Sequence, residues 1–184
     1  MSKAIGVFLA DGFEEIEGLT VVDLCRRAGI DVKMISVTGD LTITGGHAIK
    51  LQADELFEDT DFSALDMVVL PGGLQGTNTL KAHEGVKGVI RDFLAEDKYI
   101  AAICAAPTVF GQMGILEGKK AICYPGLENQ LTGAEVTVRS VVQDGRILTS
   151  RGLGTAIDFS LAIIENLISE EKAKEIAESV VYQA

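Results

Sequence analysis

The sequence predicts an α/β fold, a doubly wound and mainly parallel sheet sandwiched between helices, with small β-hairpins. Three observations predict it. Short apolar runs alternate with segments of helical periodicity along the chain, as they do in βαβ units. Several of these runs are almost continuously apolar, which is typical of strands covered on both faces. Two glycine-containing turns separate pairs of shorter strand-like runs, which predicts the hairpins.

Each element follows from its own pattern. The apolar runs predict strands at residues 5–9, 32–37, 67–70, 99–103 and 121–123. Helical periodicity predicts helices at 14–28, 84–96, 107–113, 155–167 and 170–181. Hairpins are predicted at 41–51, folded about Gly45-Gly46, and at 136–148, folded about Asp144-Gly145. In a sheet of this kind, ligands bind at the carboxyl ends of the strands.

Composition predicts one globular domain without a nucleic-acid partner. A chain of 184 residues that is 47% hydrophobic can bury a sizeable core, and no linker or repeat divides it. Its 16 basic residues are outnumbered by 27 acidic ones, which gives a formal net charge of -11. Binding to a nucleic-acid backbone depends on lysine and arginine, so that class of partner is excluded.

Cysteine usage and the first residues predict a cytoplasmic protein. Cys25, Cys104 and Cys123 are odd in number and lack CxxC spacing, so neither a disulfide framework nor a cysteine-rich zinc site is expected. The chain enters its first strand directly, without the apolar length and cleavage site of a signal peptide. No segment is long enough to span a membrane, so no membrane partner is expected.

Cys104 stands where an apolar strand becomes a helix. The strand at 99–103 ends just before it, and Pro107 favours the start of the next helix because proline is tolerated in a first turn. The N–H groups and partial positive charge of a helix amino terminus favour thiolate over thiol, so a lowered pKa and a reactive sulfur are expected. The alternative is a small, buried and inert core residue.

Two further strand ends are expected to share one rim of the sheet with Cys104. They are the loops at 10–13 and at Pro71-Gly72-Gly73, which follow the first and third predicted strands. Gly72 and Gly73 can bring bare N–H groups close to a ligand, and the alternative for them is a plain turn. Neither GxGxxG after the first strand nor GxxxxGK[ST] occurs, so no nucleotide cofactor is expected.

Two carboxylates of the first helix are expected to face inward. At about 100° per residue, Glu14 and Glu17 share a face with Val21, whereas Glu15 points well away. A carboxyl group on an apolar face has a raised pKa, so Glu17 can stay protonated near neutrality and donate a hydrogen bond to a thiolate. For Glu14 and Glu15 the alternative is favourable electrostatics at a helix amino terminus.

Both histidines, His47 and His83, precede Cys104. A cysteine protease or glutamine amidotransferase needs an imidazole beside its thiolate, and none follows Cys104, so those activities are disfavoured. His47, in the first hairpin, either reaches the pocket or is simply exposed, and His83 is expected to be solvated. No HExxH or similar spacing occurs, so no metal site is predicted.

Four motifs together resemble the ThiJ/PfpI superfamily, and in particular its parkinsonism-associated deglycase branch. They are Ala10-Asp11-Gly12-Phe13-Glu14-Glu15-Ile16-Glu17, Val68-Val69-Leu70-Pro71-Gly72-Gly73, Ala101-Ala102-Ile103-Cys104-Ala105-Ala106-Pro107 and Leu148-Thr149-Ser150-Arg151-Gly152-Leu153-Gly154-Thr155. The resemblance implies a flavodoxin-like, class I glutamine amidotransferase-like domain over residues 1–184. It implies that Cys104 is the nucleophile and Glu17 its partner acid, with Glu14 close by. The N–H groups of Gly73 and Ala105 would then form the oxyanion site.

Three positions depart from the pattern of this superfamily. Tyr124 stands where some members have a second-shell histidine, and a phenol with a pKa of about 10 cannot replace imidazole as a base near neutrality. His47 stands where arginine is frequent, which implies weaker or pH-dependent handling of anions at the pocket rim. Leu153 stands where proline is common, which implies a looser loop.

The resemblance also implies a homodimer. Ile16 and Leu19 fit this independently, because they lie on the helix face opposite the pocket and would otherwise be exposed. The alternative is that the next helix covers them.

The function predicted is that of a cysteine-dependent glyoxalase or deglycase acting on a small reactive carbonyl such as methylglyoxal, without a cofactor. The competing class is a redox sensor or chaperone whose cysteine is oxidised to a sulfinate. A third class, a plain binding subunit, predicts that Cys104 alkylates no faster than Cys25 or Cys123.

Overall fold

The computed structural model describes residues 3–183. Residues 1, 2 and 184, which the predicted domain includes, lie outside the described residues. The strands are β1 (Ala4–Leu9), β2 (Asp31–Ser36), β3 (Thr42–Thr44), β4 (Lys50–Gln52), β5 (Glu55–Leu56), β6 (Met67–Leu70), β7 (Tyr99–Ile103), β8 (Lys120–Ala121), β9 (Glu135–Val136), β10 (Val141–Asp144) and β11 (Ile147–Ser150). The helices are α1 (Glu15–Arg27), α2 (Leu74–Ala82), α3 (Glu84–Ala95), α4 (Pro107–Gln112), α5 (Ala156–Leu167) and α6 (Glu170–Ser179).

Seven strands form the main sheet, in the order β10-β11-β7-β6-β1-β2-β5. All neighbouring pairs are parallel except β10 and β11, which form an antiparallel hairpin at one edge. A second antiparallel hairpin joins β3 to β4 outside this sheet. The predicted α/β class, a mainly parallel sheet between helices with small hairpins, is confirmed.

Two buried clusters cover the two faces of the sheet. Alternate residues of β1 divide between them, because successive side chains of a strand point to opposite faces. Helices α1, α5 and α6 pack on one face, and α3 and α4 pack on the other. In the described part of the chain, no helix has the length and apolar character needed to cross a bilayer.

The apolar runs locate four of the five predicted strands to within one residue, and two of them, 67–70 and 99–103, without error. The prediction that residues 121–123 form a strand of the main sheet is wrong. Only Lys120–Ala121 is a strand, and it pairs with β9 in a separate two-stranded sheet. The N–H of Ile122 instead donates to the hydroxyl of Thr149 at 3.0 Å. The second hairpin begins at Val141 rather than at residue 136, because Glu135–Val136 pairs with β8.

Helix α2 was not predicted from the sequence. Its residues, LQGTNTLKA, include glycine, asparagine and threonine, which have low helix propensity. Tertiary packing compensates for this low helix propensity. Leu80 is buried, and Gly76 lies so close to Phe13 that a Cβ added at Gly76 would be 2.9 Å from the Phe13 nitrogen. His83, expected to be solvated, is half-buried and its Nδ1 accepts the Val86 N–H at 3.1 Å, which caps α3.

The outer face of α1 is partly exposed. Ile16 is 51% exposed and Leu19 is half-buried, so the alternative that the next helix covers both fails for Ile16. The homodimer itself stays a prediction.

Candidate active site

The carboxyl ends of β1, β6 and β7, which are neighbours in the sheet, meet at one rim as expected. The loops are tied to each other through the backbone. The Glu14 N–H donates to the Gly72 carbonyl at 2.9 Å, and the Gly76 N–H donates to the Gly12 carbonyl at 3.3 Å. The residues that follow these three strands therefore pack together as one rigid layer at the base of the site, which we call the floor of the site. Cys104 is part of this floor.

Cys104 has a backbone conformation that few residues with a Cβ adopt. Its φ is 65°, in the left-handed region, which costs a non-glycine residue of the order of 1–2 kcal/mol. Hydrogen bonds hold it there: its N–H donates to the Ser150 carbonyl at 3.0 Å, and its carbonyl accepts the Tyr124 N–H at 2.8 Å. This sharp turn between β7 and α4 projects the sulfur out of the rim, as a nucleophile elbow does.

Two backbone N–H groups face the Cys104 sulfur. They belong to Gly73 and Ala105, and both hydrogen-bond the thiolate form. Gly72 makes the approach possible, because a Cβ there would lie 2.5 Å from the Cβ of Cys104 and 3.0 Å from the Ile103 carbonyl oxygen. The same N–H groups can stabilise a negatively charged oxygen bound at the sulfur.

Glu17 reaches the same sulfur from α1. Its side chain is 1% exposed, and its Oε2 accepts the Gly72 N–H at 2.9 Å. The carboxyl group also contacts the Cys104 side chain and the backbone of Leu153. Among the residues described, none gives its buried Oε1 a hydrogen bond of ordinary geometry. Because no described neighbour satisfies this oxygen when it is ionised, its surroundings favour the protonated state of Glu17, as burial does.

Glu17 and Cys104 titrate as a pair. Burial raises the pKa of Glu17 to about 7. Burial, together with the negative charge of ionised Glu17, raises the pKa of the Cys104 thiol to about 12, whereas the N–H groups of Gly73 and Ala105 lower it. The expectation that a helix amino terminus alone lowers this thiol pKa is therefore corrected. Because the charge of Glu17 vanishes when it is protonated, a thiolate forms most readily beside the neutral acid.

The raised pKa of Glu17 makes the stability of the fold depend on pH. The folded-state pKa of about 7 lies above the model value of 4.5, so the stabilisation by neutral Glu17 is complete below about pH 4.5 and is lost as pH rises through 7. We expect Glu17→Gln to gain up to about 3 kcal/mol of unfolding free energy over wild type across this window. Urea unfolding of both proteins at each pH measures this difference. A constant difference between pH 4 and 8 would contradict a buried neutral Glu17.

Glu15 is buried, so the expectation that it points away from the interior is wrong. It is 3% exposed, because the β3–β4 hairpin folds over the start of α1. Its Oε1 accepts the His47 N–H at 2.8 Å and its Oε2 lies 2.9 Å from His47 Nδ1. Burial opposes the ionisation of Glu15, but the hydrogen bonds from His47 outweigh it and lower the Glu15 pKa. The helical period could not show this contact, because the two residues are 32 positions apart.

His47 is exposed and holds the hairpin rather than the pocket. Its Nδ1 also lies 3.6 Å from Glu14 Oε1, and the hydrogen bond to Glu15, with the charges of both glutamates, raises the His47 pKa. Within the described residues, Glu14, Glu15 and His47 are the group whose donor atoms lie close enough to share a metal ion, all within 4.8 Å. The hydrogen bonds between Glu15 and His47 hold these two residues together, and Glu14 lies beside them.

A cavity of about 390 Å³ opens above Cys104. It is lined by Glu14, Gly73, Leu74, Cys104, Ala105, Tyr124, Pro125, Gly126 and Leu127. Of the predicted pocket residues, Glu14 and Tyr124 line it. Gly72, His47 and Leu153 do not line it. The side chain of Leu153 is 49% exposed and its backbone contacts Glu17, while Thr155 Oγ1 accepts the Gly152 N–H at 3.1 Å and holds that loop.

The apolar residues of the rim were missed by the sequence analysis. Leu74 begins the helix that was not predicted, and Pro125 and Leu127 follow Tyr124 in a loop without regular structure. The nearest signal was the apolar run 124–127 directly after the expected strand at 121–123, at the carboxyl side of the sheet.

Comparison with known proteins agrees with this geometry. Residues 3–166 match the model of the DJ-1/PfpI family. The chain belongs to the DJ-1/PfpI family. The predicted family relationship is thereby confirmed.

Relatives within the DJ-1/PfpI family match nearly all of this chain. Protein DJ-1 homolog B of Arabidopsis thaliana is 39% identical over 182 residues, which are 98% of this chain and 42% of that protein. The chain thus spans less than half the length of this relative. Protein dj-1beta of Drosophila melanogaster is 40% identical over 98% of both chains. Its crystal structure has a TM-score of 0.95, with 36% identity over 100% of both chains, and the structure of oxidized Toxoplasma gondii DJ-1 has a TM-score of 0.95, with 32% identity over 100% of both chains.

Proposed function

We propose that this DJ-1/PfpI protein is a cysteine-dependent enzyme of the glyoxalase or deglycase type, acting on small reactive carbonyls such as methylglyoxal. One observation carries the proposal. The Cys104 sulfur lies at the base of a cavity where a buried carboxyl group and two backbone N–H groups contact it. These are the parts that covalent addition to a carbonyl requires: a nucleophile, a proton donor and a site for the oxyanion.

The reaction begins when the Cys104 thiolate adds to the aldehyde carbon of methylglyoxal. A carbon–sulfur bond forms, and the carbonyl electron pair moves to oxygen, where the N–H groups stabilise it and Glu17 supplies a proton. Ionised Glu17 then removes the proton from C1 and delivers it to the C2 carbonyl oxygen, which gives an enediol. Protonation of C2 and loss of the O1 proton leave a thioester of lactic acid. Water cleaves the thioester to lactic acid and the thiol, so carbon C1 is oxidised, C2 is reduced and no external oxidant is needed.

Glu17 has two separable roles in this scheme, and its variants test them. We expect wild type to form lactate from methylglyoxal, and Glu17→Ala to form far less because it has no group to carry the proton. Because ionised Glu17 raises the Cys104 thiol pKa, its removal in Glu17→Ala is expected to lower the pH midpoint of Cys104 alkylation by about 1–2 units. Glu17→Gln also removes the charge and keeps an N–H donor for the thiolate, so its midpoint is expected to be lower still. Equal midpoints in all three proteins would show that Glu17 does not act on the ionisation of Cys104.

A redox role is the second candidate, because the fold matches a DJ-1 structure of Toxoplasma gondii in an oxidised form. The Cys104 thiolate would attack hydrogen peroxide, so that a sulfur–oxygen bond forms, the oxygen–oxygen bond breaks and water leaves; a second peroxide gives the sulfinate. The groups around the sulfur would then bind its oxygens. Mass spectrometry after graded peroxide separates the two functions. Selective oxidation of Cys104 in a protein that forms no lactate favours the redox role.

A further inference from the structure

The rim of the cavity above Cys104 is mostly apolar. Leu74 is 66% exposed and Tyr124 is 52% exposed, and Pro125 and Leu127 lie beside them. Among the described residues that line the cavity, Glu14 is the one carboxylate and none is lysine, arginine or histidine. A ligand entering here meets apolar surface, one aromatic ring and a single negative charge.

Tyr124 is held in place at this rim. Its N–H donates to the carbonyl of Cys104 at 2.8 Å, so its main chain is fixed beside the reactive residue. Its ring lies next to Gly152, where an added Cβ would be 3.4 Å from the ring Cδ2. An aromatic ring on a fixed main chain offers a flat apolar surface for another flat group, and few of its own torsions have to be ordered on binding.

The volume of the cavity and the charges around it further restrict the ligands that it can bind. A cavity of about 390 Å³ is near the lower end of the range for ligand pockets, which is about 300–1,000 Å³, so it suits a small molecule. Glu14 and the formal net charge of -11 both repel anions, and the repulsion by Glu14 is strongest where His47, whose Nδ1 lies 3.6 Å from the Glu14 Oε1, is uncharged. No cationic side chain of the lining, as far as it is described, would pair with a carboxylate or phosphate of the ligand.

We propose that Tyr124 makes this site selective for uncharged α-oxoaldehydes that carry a flat apolar substituent, such as an aryl group, and that Glu14 selects against anionic ones. This inference rests on the proposed carbonyl chemistry of Cys104. Tyr124 binds the substituent while the aldehyde carbon lies at the sulfur. The residue that departs from the histidine of the superfamily is therefore a specificity residue.

The first experiment compares the conversion of methylglyoxal, phenylglyoxal and 4-carboxyphenylglyoxal to lactate, mandelate and 4-carboxymandelate, respectively. We expect wild type to favour phenylglyoxal over each of the others by about tenfold in kcat/KM. Tyr124→Ala should reduce the phenylglyoxal-to-methylglyoxal ratio about tenfold, while Tyr124→Phe keeps it. Tyr182→Ala, whose ring lies outside the lining, is the matched control. A ratio that is the same in wild type and Tyr124→Ala overturns the inference and leaves the proposed function standing.

The second experiment does not depend on turnover. Cys104 is alkylated with 2-bromoacetophenone, iodoacetamide and iodoacetate, and each rate is divided by that of free cysteine with the same reagent. Relative to iodoacetamide, we expect the normalised rate in wild type to be about tenfold higher for 2-bromoacetophenone and about tenfold lower for iodoacetate. The higher rate with 2-bromoacetophenone should be absent in Tyr124→Ala. The lower rate with iodoacetate should be less pronounced in Glu14→Gln. If wild type turns over no carbonyl but keeps this pattern, the proposed function fails and the selectivity of the site is upheld. Equal normalised rates overturn the selectivity.

Discussion

Cys104→Ser is expected to lose at least about 10³-fold in kcat/KM for methylglyoxal, since removing the nucleophile removes the covalent route itself. A serine hydroxyl is a far weaker nucleophile than a thiolate. The change is nearly isosteric, and the hydrogen bonds that hold the turn, to Ser150 and from Tyr124, involve only the backbone. Lactate formation measured enzymatically, beside a thermal unfolding curve, separates loss of chemistry from loss of fold.

Cys25→Ala is the control for this experiment. Cys25 is buried in the core on the α1 side, and burial raises its thiol pKa to about 12, so no part in the chemistry is expected of it. We expect this variant to lose some stability and to keep turnover. A folded Cys104→Ser protein that retains most of its turnover would disprove the nucleophile, and with it the proposed mechanism.

Gly73→Ala is expected to have the largest effect on stability, a loss of about 2–5 kcal/mol in the free energy of unfolding. Gly73 has a φ of 86°, in the left-handed region, which costs alanine of the order of 1–2 kcal/mol. An added Cβ would lie 2.6 Å from the Glu14 nitrogen and 2.7 Å from the Phe13 carbonyl carbon, and would also meet the Gly12 oxygen. All three are backbone atoms of the floor of the site, and overpacking of this kind typically costs a further ~1–3 kcal/mol.

Urea denaturation measures this loss, and Gly88→Ala is its matched control. Gly88 lies within α3, where an added Cβ meets nothing within 4 Å. There the substitution should stabilise the protein by up to about 1 kcal/mol, because alanine has the higher helix propensity. Equal effects of the two substitutions would mean that the loop of Gly73 adapts readily, and the rigid floor of the site would have to be abandoned.

Sequence patterns located the centre of the sheet and the reactive turn. Strands such as 67–70 and 99–103 are buried on both faces, so they are continuous apolar runs with sharp ends, and Cys104 follows one of these ends. The inward direction of Glu17 followed from the helical period alone. These features depend on local periodicity, which a single sequence displays.

The remaining features depend on contacts between distant parts of the chain. Glu15 is buried by a hairpin around His47, and α2 is formed by packing against Phe13 despite poor propensity. The pKa of Cys104 depends on its burial and on the charge of Glu17 beside it, and no spacing rule in the sequence reveals either of them. The apolar rim was missed for the same reason, since Leu74 and Leu127 come together only in the folded chain.

The acid and the thiol of this site come from distant parts of the chain. Glu17 lies on α1, and Cys104 follows β7 and packs against the same buried cluster as α1. Their meeting therefore requires α1 to be docked on the strands. A nascent or partly unfolded chain lacks these neighbours and carries an ordinary cysteine, whereas burial in the folded protein raises the Cys104 pKa to about 12 and leaves the sulfur open to molecules that enter the cavity. Completed folding therefore protects this residue from general alkylation and reserves it for ligands that fit.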